Sequence, residues 1–200
     1  AYEKRNKLPE KDIYSFANKA NLFIIQSRER AVLELLRGHN KTRFQEYKIF
    51  SVGCGSGGDF KEFVRWGAMP ENLCGIDLLE YRVHEARRTF PQARIDCWDA
   101  SKTGHPGGFF DIVAQFTVFT SILDNGLKRA IAAEMLRVLK DDGIILWYDF
   151  RFNNPRNPDV RGIKSKEIKE LFPGCKIRLK RVTLAPPIAR KAAETRTALL

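Results

Sequence analysis

Apolar residues recur along the chain first at helical spacing and then in short blocks. Ile13, Phe16, Ala17, Ala20, Ile24, Ala31 and Leu35 fall on one face of a 3.6-residue period, which predicts one amphipathic helix or two over 12–37. Gly38-His39-Asn40 is the stop. From residue 49 the pattern changes. Compact apolar runs at 49–53, Leu73–Asp77, Arg94–Trp98, Asp111–Gln115 and Ile144–Tyr148 read as strands. Helical stretches at 58–66, Leu79–Phe90 and 126–140 separate them, with Pro91 and the turn Asp141-Asp142-Gly143 as breakers. Strands alternating with helices predict parallel βαβ units with helices on both faces of the sheet. After a proline- and glycine-marked loop at 151–164, a short helix is expected from Ser165 to Phe172. Lys176-Ile177-Arg178-Leu179-Lys180 alternates with period two and reads as one more strand with a wet face.

The stretch that organises the chain is Ile49-Phe50-Ser51-Val52-Gly53-Cys54-Gly55-Ser56-Gly57-Gly58. An apolar strand runs into four glycines, and a helix carrying Phe60, Phe63 and Val64 follows at once. Glycine at such a turn permits positive φ and a close backbone approach to a ligand. The helix start then offers free N–H groups. Gly53-x-Gly55-x-x-Gly58 followed by Asp77 fits a dinucleotide fingerprint, so a nicotinamide cofactor and another nucleoside-bearing ligand both stand open at this point.

Composition narrows the class. Two hundred residues, 44% hydrophobic and 30% charged, suit one domain, here divided as 1–48 (helical cap), 49–150 (cofactor core) and 151–200 (basic C-terminal part). No apolar run approaches the ~20 residues of a membrane span, and the polar N-terminus carries no secretory pattern. Cys54, Cys74, Cys97 and Cys175 form no CxxC pair and no metal spacing with the three histidines, which predicts reduced thiols, no metal and a cytoplasmic setting. The net charge of +11 is uneven. Residues 1–48 hold 11 basic against 6 acidic, residues 49–159 hold 13 against 15, and residues 160–191 hold 10 against 2. The basic flanks therefore point to an anionic membrane surface, a nucleic acid or a phosphate-bearing acceptor, and not to the cofactor.

Five blocks taken together resemble the class I S-adenosylmethionine-dependent methyltransferases over about residues 45–150. They are Val52–Gly57, Gly75-Ile76-Asp77, Trp98-Asp99-Ala100, Phe110–Val113 and Arg137–Leu146, in that order. The resemblance implies a Rossmann-like, mainly parallel α/β sheet of order 3-2-1-4-5-7-6. It also implies S-adenosyl-L-methionine as cofactor and S-adenosyl-L-homocysteine as product. Gly53, Cys54, Gly55 and Gly57 would pass under the methionine part. Asp77 would accept the ribose hydroxyls, with Leu78 against the adenine. Asp99 and the Ala100 backbone would meet the adenine edge, and Gln115 and Phe116 the methionine and sulfonium. There are two departures. The family usually has an acid where Ser51 stands, and no seventh strand is evident near the end, which leaves a truncated chain or an unusual sheet edge.

The expected acceptor is a small molecule or a glycan or lipid, methylated on oxygen or nitrogen. An RNA acceptor and a non-catalytic, partner-binding domain of the same fold are the alternatives. An acceptor that must lose a proton needs a base. Asp149 and His105 are the candidates, with Asp124 behind them, and Tyr14, Arg151 and Asn153 are candidate acceptor contacts.

Overall fold

The computed structural model describes residues 17–153 and 157–182. Tyr14 and the tail beyond residue 182 lie outside them. The chain divides into two compact units, Ala1–Thr42 with Arg178–Leu200, and Arg43–Ile177.

In the first unit, α1 (Lys19–Gly38) is a single helix. Asn18 caps it, its side-chain oxygen accepting from the backbone N–H groups of Ala20 and Asn21 at 3.1 and 3.2 Å. It ends at the expected stop, where Asn40 takes a left-handed φ of 56°. Lys180 forms an exposed ion pair with Glu34.

The second unit holds the sheet. Its elements are β1 (Ile49–Val52), α2 (Gly58–Arg65), β2 (Leu73–Asp77), α3 (Glu80–Thr89), β3 (Arg94–Cys97), β4 (Phe110–Phe116), α4 (Asn125–Val138), β5 (Leu139–Tyr148) and α5 (Ser165–Leu171). The five strands are parallel, in the order β3-β2-β1-β4-β5. The central strands are the most apolar because helices cover both faces, and β1 and β4 are buried throughout. Val52 lies opposite Ile76 on one side and Gln115 on the other. The chain thus changes direction across the sheet between β1 and β4, the place where open α/β sheets bind ligands at their carboxyl ends.

Two of the five sequence blocks fasten the opposite, amino end. Asp111 of β4 accepts from the Lys48 backbone N–H at 2.9 Å and from Lys140 Nζ at 2.7 Å. Glu134 of α4 accepts from Thr103 N and Oγ1 at 2.8 and 2.6 Å, and Arg137 donates to the His105 carbonyl at 2.7 Å. The Arg137 guanidinium and the Thr103 donors hold the Glu134 pKa down at about 2.

Three sequence expectations need correction. β5 begins at Leu139, ahead of the expected Ile144; Leu139 pairs with Phe110 and Ile144 with Ile112, so Asp141-Asp142-Gly143 is a bulge within the strand. The stretch 176–182 forms no strand. Its period-two pattern has only two apolar residues to bury. Ile177 packs on the core while Leu179 stays exposed, so nothing pulls the segment onto the sheet edge. The predicted strand Arg94–Trp98 would bury Cys97, yet the residue is exposed at the end of β3; all four thiols are free.

A buried cation joins the last two helices. Lys128 of α4 is 1% exposed and reaches Glu167 of α5 at 2.9 Å. Glu167→Gln strands that ammonium without a counter-charge and is expected to cost about 3 kcal/mol. Lys128→Met, which removes the charge along with its need for a partner, is expected to cost much less. Thermal melting of the two variants side by side checks this; equal losses would contradict it.

Candidate active site

At the carboxyl end of β1 the chain turns through Gly53, Gly55 and Gly57, with φ of 67°, 54° and 84°. These angles are costly for any residue with a Cβ. Space forbids one too: a Cβ on Gly53 would stand 2.4 Å from Val118 Cγ2. Cys54 braces the turn. Its N–H donates to the Ile76 carbonyl and its own carbonyl accepts from Gly57, both at 3.0 Å. Burial, the largest cause, and the nearby Asp77 push its thiol pKa far up. Cys54 is therefore a strut and offers no thiolate.

Asp77, the last residue of β2, closes the turn. One carboxylate oxygen accepts from the Gly55 N–H at 2.9 Å and the other from the Leu79 N–H at 3.0 Å, just ahead of α3. A carboxylate offers about four lone-pair positions, so each oxygen keeps one for a further donor. Ser51, buried in β1, donates to Asp59 at 2.8 Å. The first turn of α2 thus brings a carboxylate to the place where the sequence lacks one.

The ends of β2 and β3 present two exposed apolar side chains, Leu78 (72% exposed) and Trp98 (61%). Their backbones are tied: the Trp98 N–H donates to the Asp77 carbonyl at 3.2 Å, and the Cys97 thiol points to the Leu78 carbonyl at 3.7 Å. Trp98 was not among the residues singled out from sequence. The signal was there, since a large aromatic beside a strand-ending acid, on a strand that buries little, has nowhere to hide. Asp99 is exposed and accepts from the Ser101 N–H at 2.8 Å, while Ala100 is half-buried against the core.

At the ends of β4 and β5 the polar groups are buried. Gln115 is fully buried, its carbonyl oxygen accepting from the Val118 N–H at 3.1 Å. Phe116 stacks on Phe63 with ring centres 6.5 Å apart, so its ring joins the core. Thr117 holds a positive φ of 61°, a strained conformation for a β-branched residue, pinned by its N–H to the Tyr148 carbonyl at 2.7 Å. The Thr120 hydroxyl donates to Asp149 Oδ1 at 2.6 Å. Asp149 Oδ2 and the Gln115 amide nitrogen are both shut off from solvent, and neither makes a hydrogen bond. Burial, opposed by Thr120 and by Gln115 lying nearby outside hydrogen-bond geometry, lifts the Asp149 pKa to about 6.

The structure separates the other candidates. His105 packs among Phe50, Phe109 and Phe110, at the amino end of β4. It stands at the wrong end of the sheet for the mouth, and burial lowers its pKa as a core histidine. Asp124 caps α4 by accepting from the Leu127 N–H at 2.7 Å. Arg151 is exposed and lies over the Phe152 ring at 5.7 Å, away from any helix-capping role. The Asn153 side-chain oxygen accepts from the Gly162 N–H at 2.9 Å, which ties the loop to itself.

Comparison with known proteins agrees with this geometry. Residues 49–143 match the family described as a methyltransferase domain. No curated protein sequence matches the chain. Among solved structures, an S-adenosylmethionine-dependent methyltransferase from Methanosarcina mazei superposes with a TM-score of 0.56 at 19% identity, over 66% of this chain and 80% of that one. A TehB-like methyltransferase from Corynebacterium glutamicum gives 0.53 at 22% identity, over 72% and 69%. The [4+2]-cyclase SpnF gives 0.54 at 21% identity, over 72% and 55%. These likenesses establish the fold, and one of the three proteins is named for a different reaction. The sequence match covers just under half of the chain and supports a methyltransferase domain over residues 49–143.

Proposed function

We propose that the protein methylates an oxygen or nitrogen of a small-molecule acceptor, of glycan or lipid type, with S-adenosyl-L-methionine as donor. The observation that carries the reading is a glycine turn closed onto Asp77, with a partnerless carboxylate oxygen on Asp149 at the end of β5.

The residues at the strand ends fit the cofactor. Gly53, Gly55 and Gly57 take left-handed backbone angles that leave the turn's N–H groups free of Cβ atoms, with Val118 and Phe90 packed close against Gly53 and Gly57. Asp77 keeps lone pairs for ribose hydroxyls, and Leu78 and Trp98 offer exposed apolar surface for a purine. Asp99 and the Ala100 backbone would meet its polar edge. Gln115 and the Phe116 backbone end β4 where the methionine part would lie. Asp59, held by Ser51, takes the place of the missing strand acid in facing the cofactor's ammonium. Bound there, the cofactor supplies an activated methyl group.

The chain's own work is positioning and proton handling. Thr120 fixes one oxygen of Asp149, and the other, closed to solvent and without a protein hydrogen bond in the free protein, takes the proton of the acceptor's hydroxyl or amine once the acceptor reaches it. Burial of that carboxyl keeps water from competing for it. Exposed Phe150, Arg151 and Phe152 border the same strand end and form the acceptor's outer wall. The same reading keeps residues 1–200 as one functional domain.

Calorimetry with S-adenosylmethionine and S-adenosylhomocysteine, followed by an acceptor screen with labelled methyl donor, tests the proposal. Saturable binding of both and label transfer to a small acceptor are expected; absence of cofactor binding sinks it. A second reading, an RNA acceptor, draws on the 10 basic residues against 2 acidic over 160–191. It requires nucleic-acid binding that weakens steeply with salt.

A further inference from the structure

A cavity of about 310 Å³ lies between the start of α4 and the segment Arg161–Leu171. Five cations line it: Lys128, Arg129, Arg161, Lys164 and Lys166. Glu167 and Glu170 are the opposing acids. Glu167 is already shared, since its Oε1 accepts from Lys128 at 2.9 Å and from Arg161 at 2.8 Å. Glu170 comes only within 3.9 Å of Lys166 on an exposed rim, where such a pair contributes little. Arg129 and Lys164 pair with no carboxylate among the described residues. Arg161 Nε is shut off from solvent and has no hydrogen-bond partner.

A buried donor without an acceptor is a debt that some partner must settle. Here the surplus positive charge, Arg161 included, lines one concavity. The matching ligand is an anion with several acceptor oxygens in different directions. A phosphate monoester has three terminal oxygens and about two negative charges at neutral pH, a better match than a planar carboxylate. The cavity exceeds the size of a phosphate group and leaves room for a small organic remainder. Among the described residues no aromatic side chain lines it, so no stacking platform of a single-stranded nucleic-acid site is seen there.

We propose that this cavity is a binding site for a small phosphorylated molecule held through its phosphate, with Arg129, Arg161 and Lys164 as its anchors. The site stands on its own charges and does not depend on the methyl-transfer reading. Calorimetry at low ionic strength with glycerol 3-phosphate, inorganic phosphate and glycerol tests it on the whole chain. Both phosphates are expected to bind saturably and glycerol not at all. The double variant R129Q/K164Q is expected to bind them about tenfold or more weakly, since it removes charge-assisted contacts. Its melting temperature should be unchanged, because both residues are exposed. Three results overturn the proposal: no binding of either phosphate, equal affinity in the variant, or binding of polyuridylate without binding of glycerol 3-phosphate. Cofactor titration of the same samples reads the methyltransferase site separately.

Discussion

Asp77→Ala is expected to weaken cofactor binding at least about a hundredfold and to loosen the site before any ligand arrives. The carboxylate does two jobs in the folded chain, accepting from the Gly55 and Leu79 N–H groups at 2.9 and 3.0 Å. Hydrogen bonds to a charged acceptor contribute about 1.5–3 kcal/mol each, so losing both is expected to destabilise the domain by about 3 kcal/mol. In a chain of this length that lowers the melting temperature by roughly 10 °C. Asp77→Asn retains one acceptor oxygen but turns an N–H₂ group toward the other backbone donor, and an intermediate loss is expected. Calorimetry should show S-adenosylmethionine affinity reduced at least about a hundredfold in Asp77→Ala, more than destabilisation of a folded protein would produce. Wild-type affinity in that variant would show that Asp77 only shapes the turn.

Asp149→Asn separates activity from stability. If Asp149 takes the acceptor's proton, methyl transfer in the parent rises with pH through about 6, where the carboxyl ionises. The variant is expected to lose about two orders of magnitude in rate and to lack that rise. The stability effect runs the other way. The folded-state pKa is raised from 3.8 to about 6, so the stabilisation of the protonated form is fully present below pH 3.8 and is lost as pH rises through about 6. Above that, the parent carries an ionised carboxylate in a buried place at a cost of about 2–3 kcal/mol. The amide carries no charge, so Asp149→Asn should melt higher than the parent at pH 7.5 and lose that advantage near pH 4. A variant that gains stability at pH 7.5 and keeps its full rate would make Asp149 a structural residue only.

Both variants act on a place that was legible in part. The glycine turn, Asp77 and Asp99 could be read because each answers a local demand: positive φ at the turn and an acid at a strand end. The alternation of strand and helix was legible for the same reason, since each hydrophobic block records the face it buries. The five strands form in the predicted order, and Leu73–Asp77 has the predicted limits. The five blocks divide by location. The glycine turn, Asp77 and Asp99 gather at the carboxyl ends, while Asp111, Glu134 and Arg137 hold the amino ends together.

What pattern alone could not convey was which end of the sheet a loop reaches and which distant groups meet there. His105 and Asp149 were equal candidates as bases. The fold puts one in an aromatic cluster at the start of β4 and the other beside Thr120 with an unpaired oxygen. Ser51 stands where an acid is usual, and α2 brings Asp59 to it; Lys176–Lys180 alternates like a strand and forms none. The sequence by itself determined the βαβ order, the ligand-ready turn and the distribution of charge, because these follow from each residue and its near neighbours. Tertiary structure decided which carboxylates are buried, paired or orphaned and where cations converge on a cavity, because burial and partnership depend on segments far apart in the chain.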